Sequence, residues 1–485
     1  MIGVGQTQAV RPWLIRLGIA GAVLGGIVIG ALGAGTAAGM GEWEASLAVA
    51  VAIPLAMVVA AYPWSAVMIW FAVMPFLVVD DSASVSAGVW AAHRLLVAAT
   101  VGVLLVYRML GLSRSKFNVS TVDVFVVGFI VLAYVNIFAL SNNPTRMSVA
   151  IYDALIVPIA LFWLVRLVDP TTKDLRRLLV VVTAIVLVQV TVGVLSWLAP
   201  GVLPGAWLGR VGERTIGTLG GPGPYSVTLV FGALLAIHAA TEAHGRLLRW
   251  VLIAIAAMAF VAVLLSLSRG SWLGAGLAIM GLLFLYPRLV LPTLAAGALT
   301  AAILASGPLA GQFSVLDDRL GDADTAESRL VTNNAAMRMI ATEPWFGFGY
   351  GNFERFDESF KERVGDLPVE EGSAHHAYLA LAAENGLPAL VLYLLPAAWL
   401  LMRSIQLRNF MPTEPLLNRN LVAVLWLALV GQFAVANFMD MLHSSPWGVG
   451  LWWLSLGLIH ALVSRAAERR RSTQRPRLAV AGIEG

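Results

Sequence analysis

A series of apolar runs, each about as long as a bilayer is thick, decides what this chain can fold into. They lie at roughly 13–34, 46–60, 63–79, 89–107, 122–140, 149–168, 177–198, 224–240, 248–267, 270–286, 288–305, 377–402, 420–438 and 447–464. A transmembrane helix needs ~20 mostly apolar residues. The runs are continuous and not ten-residue alternations, which argues against a β-barrel. Composition agrees: the chain is 59% hydrophobic and 12% charged, against about 25% charged for an ordinary soluble domain. The expected fold is an all-α polytopic membrane protein of about 12–14 transmembrane helices. The stretch 46–79 is divided at Pro54 and at Tyr62-Pro63 and reads as two short helices, since proline interrupts a helix. The first run follows Arg11 and Arg16 as a signal peptide would, but its apolar stretch passes Ala34. That exceeds a signal core of ~7–15 residues, so a retained span is expected.

With a cytoplasmic N-terminus and alternating spans, 21 of the 32 Lys and Arg fall on the inside, six of them in the tail at Arg465, Arg469, Arg470, Arg471, Arg475 and Arg477. This is the positive-inside pattern. It accounts for the net charge of +4 by topology and gives no sign of nucleic acid as a partner. The basic residues left outside are Arg94, Arg146, Arg210, Arg214, Arg269, Arg319, Arg329, Arg338, Arg355, Arg363 and Lys361.

One loop dwarfs the others. The chain divides into N-terminal helices (1–305), a large outside loop (306–376), C-terminal helices (377–465) and a basic cytoplasmic tail (466–485). The loop carries 13 of the 28 acidic residues, between Asp317 and Glu371. After Asp324 and Thr325, which can cap a helix, the apolar residues Leu330, Ala335, Met337, Met339 and Ile340 predict an amphipathic helix that ends by Pro344. The glycine-aromatic stretch 345–351 then predicts a tight turn, so the loop is expected to fold over the outer mouth of the bundle. The acids Asp317, Asp318, Asp357, Glu358 and Asp366 lack metal-ligand spacing with histidine and read as solvated surface. There are no cysteines, which excludes thiolate chemistry and disulfides.

Candidate chemistry gathers at the outer helix ends. Residues 199–223 hold Arg210, Glu213 and Arg214 before a Gly-Pro-rich stretch, in a segment that could be partly re-entrant. Ser266-Leu267-Ser268-Arg269-Gly270-Ser271 is a polar break between two spans. An arginine at a helix end often only snorkels to the interface, but Arg214 and Arg269, each beside Gly and Ser or Thr, also suit phosphate oxygens. At the entrance to the twelfth span come His375, His376 and Tyr378, followed by Glu384-Asn385-Gly386. His93 and Arg94 either orient the cavity or simply pack. Asp153 could pair with an arginine, and Asp440 and His443 read as surface groups of the last outer loop. No phosphate-binding glycine loop is visible.

The ordered set of Ser268-Arg269-Gly270-Ser271, Arg338, the stretch 343–351 and His375-His376-Ala377-Tyr378-Leu379 through Glu384-Asn385-Gly386 resembles the O-antigen ligase/polymerase family, over about 264–392. His376 stands where that family usually has Asn. The resemblance implies a metal-independent, C-class glycosyltransferase without cofactor in the bacterial inner membrane, its site facing the periplasm or outside. The donor would be a glycan on undecaprenyl pyrophosphate, and the acceptor a glycan, lipid or protein hydroxyl among membrane lipids. His375 would be the catalytic base, and Arg214, Arg269 and Arg338 would hold the pyrophosphate. Arg210, His376, Tyr378 and Glu384 would support them, and single displacement would invert the sugar. A transporter or flippase of lipid-linked glycans or small solutes is the alternative. It is disfavoured because no inverted repeat and no midplane charge is visible, and a scaffold protein is disfavoured by the outer arginines and histidines.

Overall fold

The computed structural model describes residues 58–76 (except 60), 84–109, 118–307 (except 205, 206 and 208), 309–312, 315, 324–362 and 375–481. The expected spans 13–34 and most of 46–60, together with Asp317, Asp318, Arg319, Arg363 and Asp366, lie outside these residues. The helices are α1 (Trp64–Val73), α2 (Ser84–Met109), α3 (Thr121–Leu140), α4 (Pro144–Val168), α5 (Thr172–Leu198), α6 (Pro222–Thr241), α7 (Arg246–Leu264), α8 (Arg269–Leu285) and α9 (Pro287–Ala305). They continue with α10 (Asp324–Thr342), α11 (Ala377–Gln406), α12 (Arg419–Ala436) and α13 (Pro446–Ala481). Between α5 and α6 a two-stranded antiparallel hairpin pairs β1 (Gly209–Val211) with β2 (Arg214–Gly217). Among the described residues nine helices are long and apolar enough to cross a membrane, and Trp64–Phe76 and Arg269–Leu285 are shorter apolar helices. The protein is a polytopic all-α membrane protein.

The chain's own signals set these helices. Thr171 and Asp174 form a capping box that starts α5 five residues before the apolar run, satisfying N–H groups that the first turn leaves open. Pro158 interrupts α4. It has no N–H to donate, so the helix widens into a π-turn at Tyr152–Ile156, and the Val157 N–H bonds the Tyr152 carbonyl. The Asp153 carbonyl, left without a helical donor, takes a bond from His93 Nε2 at 3.1 Å. Nδ1 of the same ring accepts the Trp70 indole N–H at 3.1 Å, so His93 packs as the neutral Nε2–H form. Arg94 grips the Asp153 carboxylate with two bonds of 2.7 and 2.6 Å, the pairing that Asp153 invited.

The helix α6 runs through the middle of the bundle, 94% buried over its apolar window, whereas α9 lies at the edge at 17%. Large apolar side chains such as Phe284, Leu247 and Val180 face outward, as lipid-facing helix surfaces require. The helix ends sort into two faces. On one, the start of α3 meets the end of α4 (Arg166 with Asp123 and the Asn118 carbonyl), Ser120 meets His460, and His238 bonds Tyr286 and the Leu416 carbonyl. On the other lie Asn136, Asp153, Thr218, Glu384 and His443. None of these contacts joins one set to the other, as alternating spans demand. The second face carries the long loop and is the loop face below.

The loop helix α10 forms where expected and ends at Thr342. It lays Ala336 and Met339 against Ala380 and Ala383 of α11. Leu330 and Met337, expected on its apolar side, are exposed. The buried stripe is Val331, Thr332, Ala335, Ala336 and Met339, because the small residues allow close approach to the alanines of α11. Asp357, expected in solvent, is 2% exposed and pairs with Lys361 at 2.8 Å one turn later. At the other end of the chain, the helix of the last span does not stop near 464 but runs on to Ala481.

Candidate functional site

The loop face is assembled where helices break. The helix α11 is two helices joined at Gly386, whose φ of 81° and ψ of 164° no helix contains. The expected span 377–402 is therefore a short half-helix (377–385) followed by a membrane-crossing part. The glycine-aromatic turn docks into the break. Phe348 and Gly349 donate their N–H groups to the carbonyls of Ala383 and Glu384 at 2.9 and 2.8 Å, and Leu387 donates to the Pro344 carbonyl at 2.8 Å. Only glycine fits here. A Cβ at Gly386 would lie 2.2 Å from the Trp345 carbonyl oxygen, and one at Gly347 (φ 66°) would lie 2.6 Å from that of Ala383. Asn136 of α3 staples the junction. Its amide donates to the carbonyls of Phe346 and Glu384, the latter at 3.3 Å, and its Oδ1 accepts the Tyr350 N–H at 3.2 Å.

A second break separates α7 from α8. Leu267 there adopts a left-handed φ of 47° while its side chain is 3% exposed. Such backbone costs about 1–3 kcal/mol and persists only where its surroundings impose it. Part of what imposes it is the hairpin: the Thr215 N–H bonds the Leu265 carbonyl at 3.1 Å, laying the strand that holds Arg214 beside the break that leads into Arg269. The hairpin is itself pinned by Gln189, which donates to the Thr218 hydroxyl at 2.7 Å, and by that hydroxyl, which donates to the Pro75 carbonyl at 2.6 Å. Trp197 and Gln312 add bonds to Thr215 and Glu213. The segment expected to be partly re-entrant is thus a hairpin whose second strand is buried against protein while Arg210 and the turn through Glu213 are exposed.

The two breaks meet through the loop between α12 and α13. A Cβ at Gly270 would come within 2.7 Å of the Phe438 Cβ, so the residue after Arg269 lies against the loop that two residues later presents Asp440. His443 in that loop reaches Glu384 at 2.7 Å and Asp440 at 2.8 Å, and its ring stacks on Tyr350 with centroids 4.8 Å apart. Glu384 is 2% exposed and also accepts the Phe353 N–H at 3.0 Å.

The remaining candidates are placed as follows. His375 sits in a bend just ahead of the half-helix, half-buried. His376 caps that half-helix, its Nδ1 accepting the Leu379 N–H at 3.3 Å, and burial lowers its pKa against a partly opposing backbone bond. Tyr378 is buried and stacks on Phe433 of α12. Arg210 lies over the Trp197 ring at 4.6 Å and is exposed. Arg338 is held within the loop by Glu362 and by the Phe360 carbonyl at 3.3 Å. The breaks therefore bring the segments of Arg214, Arg269 and Glu384 onto one face, while the contacts of Arg338 stay in the loop.

Asp440 and His443, expected as surface groups of the last outer loop, are instead largely buried and paired with each other. Both ring nitrogens of His443 face carboxylate oxygens, which can only accept, so the pair calls for an imidazolium. Burial alone would lower the His443 pKa, but Asp440 and Glu384, helped by Tyr350, outweigh it and hold it well above the usual value. Burial pushes the Tyr350 phenol up to about 12. Among the described residues no cluster of three or more His, Asp or Glu is arranged to hold a metal ion. Asn136, the staple, was also missed; a lone Asn in an apolar run is the only signal that pointed to it.

Residues 253–394 match the family model described as O-antigen ligase. The match begins within α7 and spans the break, α8, α10, the glycine-aromatic turn and the half-helix, leaving Arg214, Asp440 and His443 outside it. Among curated proteins none matches this chain. The protein is thus a multi-pass membrane protein carrying an O-antigen ligase family domain, a family of polysaccharide biosynthesis.

Proposed function

We propose that the protein transfers a glycan from an undecaprenyl-pyrophosphate carrier to an acceptor hydroxyl, as a ligase or a polymerase of surface polysaccharide. The observation that carries this reading is the Thr215–Leu265 hydrogen bond. It sets two arginine-bearing segments side by side on the face where the His375 half-helix begins. The bacterial inner membrane is the proposed location, and the loop face points outward. Arg166, Arg176, Arg177, Arg246, Arg249, Arg288, Arg403 and Arg419, at the opposite helix ends, support this by the positive-inside rule.

In the proposed reaction His375 removes the proton of the acceptor hydroxyl. A histidine's ordinary pKa near neutrality suits that task. The oxygen attacks the anomeric carbon as the bond to pyrophosphate breaks, which inverts the sugar. The leaving group gathers negative charge, and Arg214 and Arg269 stabilise it without a metal. Arg338 contributes from the loop, and Tyr378 and Glu384 hold the half-helix. The family match supports a lipid-linked glycan as donor. The test is transfer by purified protein from undecaprenyl-pyrophosphate glycan to lipid, protein and glycan acceptors. A new glycosidic bond is expected. Glycan crossing a liposome with no new bond would replace this reading with a flippase.

A further inference from the structure

We propose that His443 is a positioning residue that sets the place of His375 by clamping its half-helix, through Glu384, to the loop that carries Asp440. This rests on the reading of His375 as the base. Three elements of the loop face each put one side chain on the His443 ring: Glu384 from the half-helix at 2.7 Å, Asp440 from the α12–α13 loop at 2.8 Å, and Tyr350 from the glycine-aromatic turn. The same loop touches the residue after Arg269, Phe438 against Gly270. His443 therefore joins the half-helix behind the base to the break behind the arginine. The half-helix needs such a tie. It is nine residues long, about 13 Å, and Gly386 cuts it off from the rigid part of α11.

The clamp works only while the ring bears two protons. Charged or titratable groups facing it are Glu384 and Tyr350 across the gap and Asp440 on its own turn. The π-turn, packed against the short helix Met441–Ser444 that holds His443, carries Tyr152 and Asp153, with Asp153 engaged by Arg94. The first turn of α13, 446–449, brings none. Against burial, which opposes charge, the two carboxylates raise the His443 pKa. Its contribution is thus fully present below the pKa of a free histidine and is lost as pH rises through the raised value. A neutral ring keeps one N–H, so one of the two carboxylates loses its ring donor and keeps only a backbone N–H, from Phe353 for Glu384 or from His443 itself for Asp440.

The experiment measures transfer rate and unfolding temperature against pH for wild type, Glu384→Gln, Asp440→Asn and His443→Gln. The wild-type rate should fall on an alkaline limb. Removing one carboxylate should move that limb to lower pH by about one unit, the low end of what a neighbouring opposite charge does, with KM for the donor changed less than about twofold. His443→Gln should lose the limb and run about 10²-fold slower at neutral pH, the low end for a misplaced acid–base group. The unfolding temperature should show the same shift without any substrate. An unmoved alkaline limb in Glu384→Gln and Asp440→Asn, with wild-type transfer intact, would overturn the role of His443. Wild type that shows the His443-dependent unfolding shift yet forms no glycosidic bond would instead overturn the transfer reading, and the positioning role with it.

Discussion

The two faces of the bundle both pair charged groups, Arg166 with Asp123 on one and Arg94 with Asp153 on the other, but differ in the backbone that carries them. On the face away from the loop, charged groups close on one another. Arg166 meets Asp123 with 4% and 9% of their side chains exposed, Trp163 bonds Asp123 at 2.9 Å, and Arg465 meets Asp169 at 2.6 Å. These sit at helix ends, with capping boxes at Ser120 and Thr171 and with Asp169 as the left-handed C-cap of α4 (φ 52°). On the loop face, polar residues arrive on broken backbone: Leu267, Gly347, Gly349, Gly351 and Gly386 all take positive φ. A cap is made by a side chain satisfying its neighbours, so it is complete within itself. A break exposes backbone at membrane depth and is tolerated only where protein or a cavity receives it. Arg269 and His375 are carried beside such breaks, Arg269 two residues after Leu267 and His375 at the head of the half-helix that ends at Gly386.

The contrast can be broken from either side. The largest stability effect belongs to the closed face: Arg166→Ala leaves Asp123 buried without its partner and should cost about 3–5 kcal/mol, read as unfolding temperature, while transfer rate per folded molecule stays within about twofold. Gly386→Ala forces a Cβ onto the Trp345 carbonyl and should cost about 1–3 kcal/mol, releasing the turn to proteolysis near 345–351. Asn136→Leu removes the staple from two carbonyls and one N–H, and should cost about 2 kcal/mol. Arg210→Ala is the smallest. Its exposed stacking on Trp197 is worth about 0.5–1 kcal/mol, and a loss of more than about fivefold in transfer would put Arg210 in the site.

The helices were legible in the sequence because a bilayer demands continuous apolar runs, and the ends of α3 and α9 fall close to the apolar boundaries. The loop helix and the turn were legible too, from the stretch after Asp324 and from the glycines of 345–351. What stayed hidden depends on contacts distant in sequence. Glu384 and His443 are 59 residues apart, and Asn136 lies 214 residues from Tyr350. Neither spacing has a local signature. The break at Gly386 did leave a local mark, the polar Glu384-Asn385-Gly386 ahead of Pro388, but that a glycine is required there follows only from its φ of 81° and from the opposing Trp345 carbonyl.

The central claim is that chemistry resides on the face built from breaks. It is tested most directly by comparing transfer per folded molecule in Arg269→Ala and His375→Ala with that in Arg166→Ala, using undecaprenyl-pyrophosphate glycan as donor. The expected result is a loss of about 10²–10³-fold for Arg269→Ala and about 10²–10⁴-fold for His375→Ala, with unfolding temperatures near wild type, against a nearly unchanged rate in destabilised Arg166→Ala. Full transfer in both loop-face variants would contradict the account.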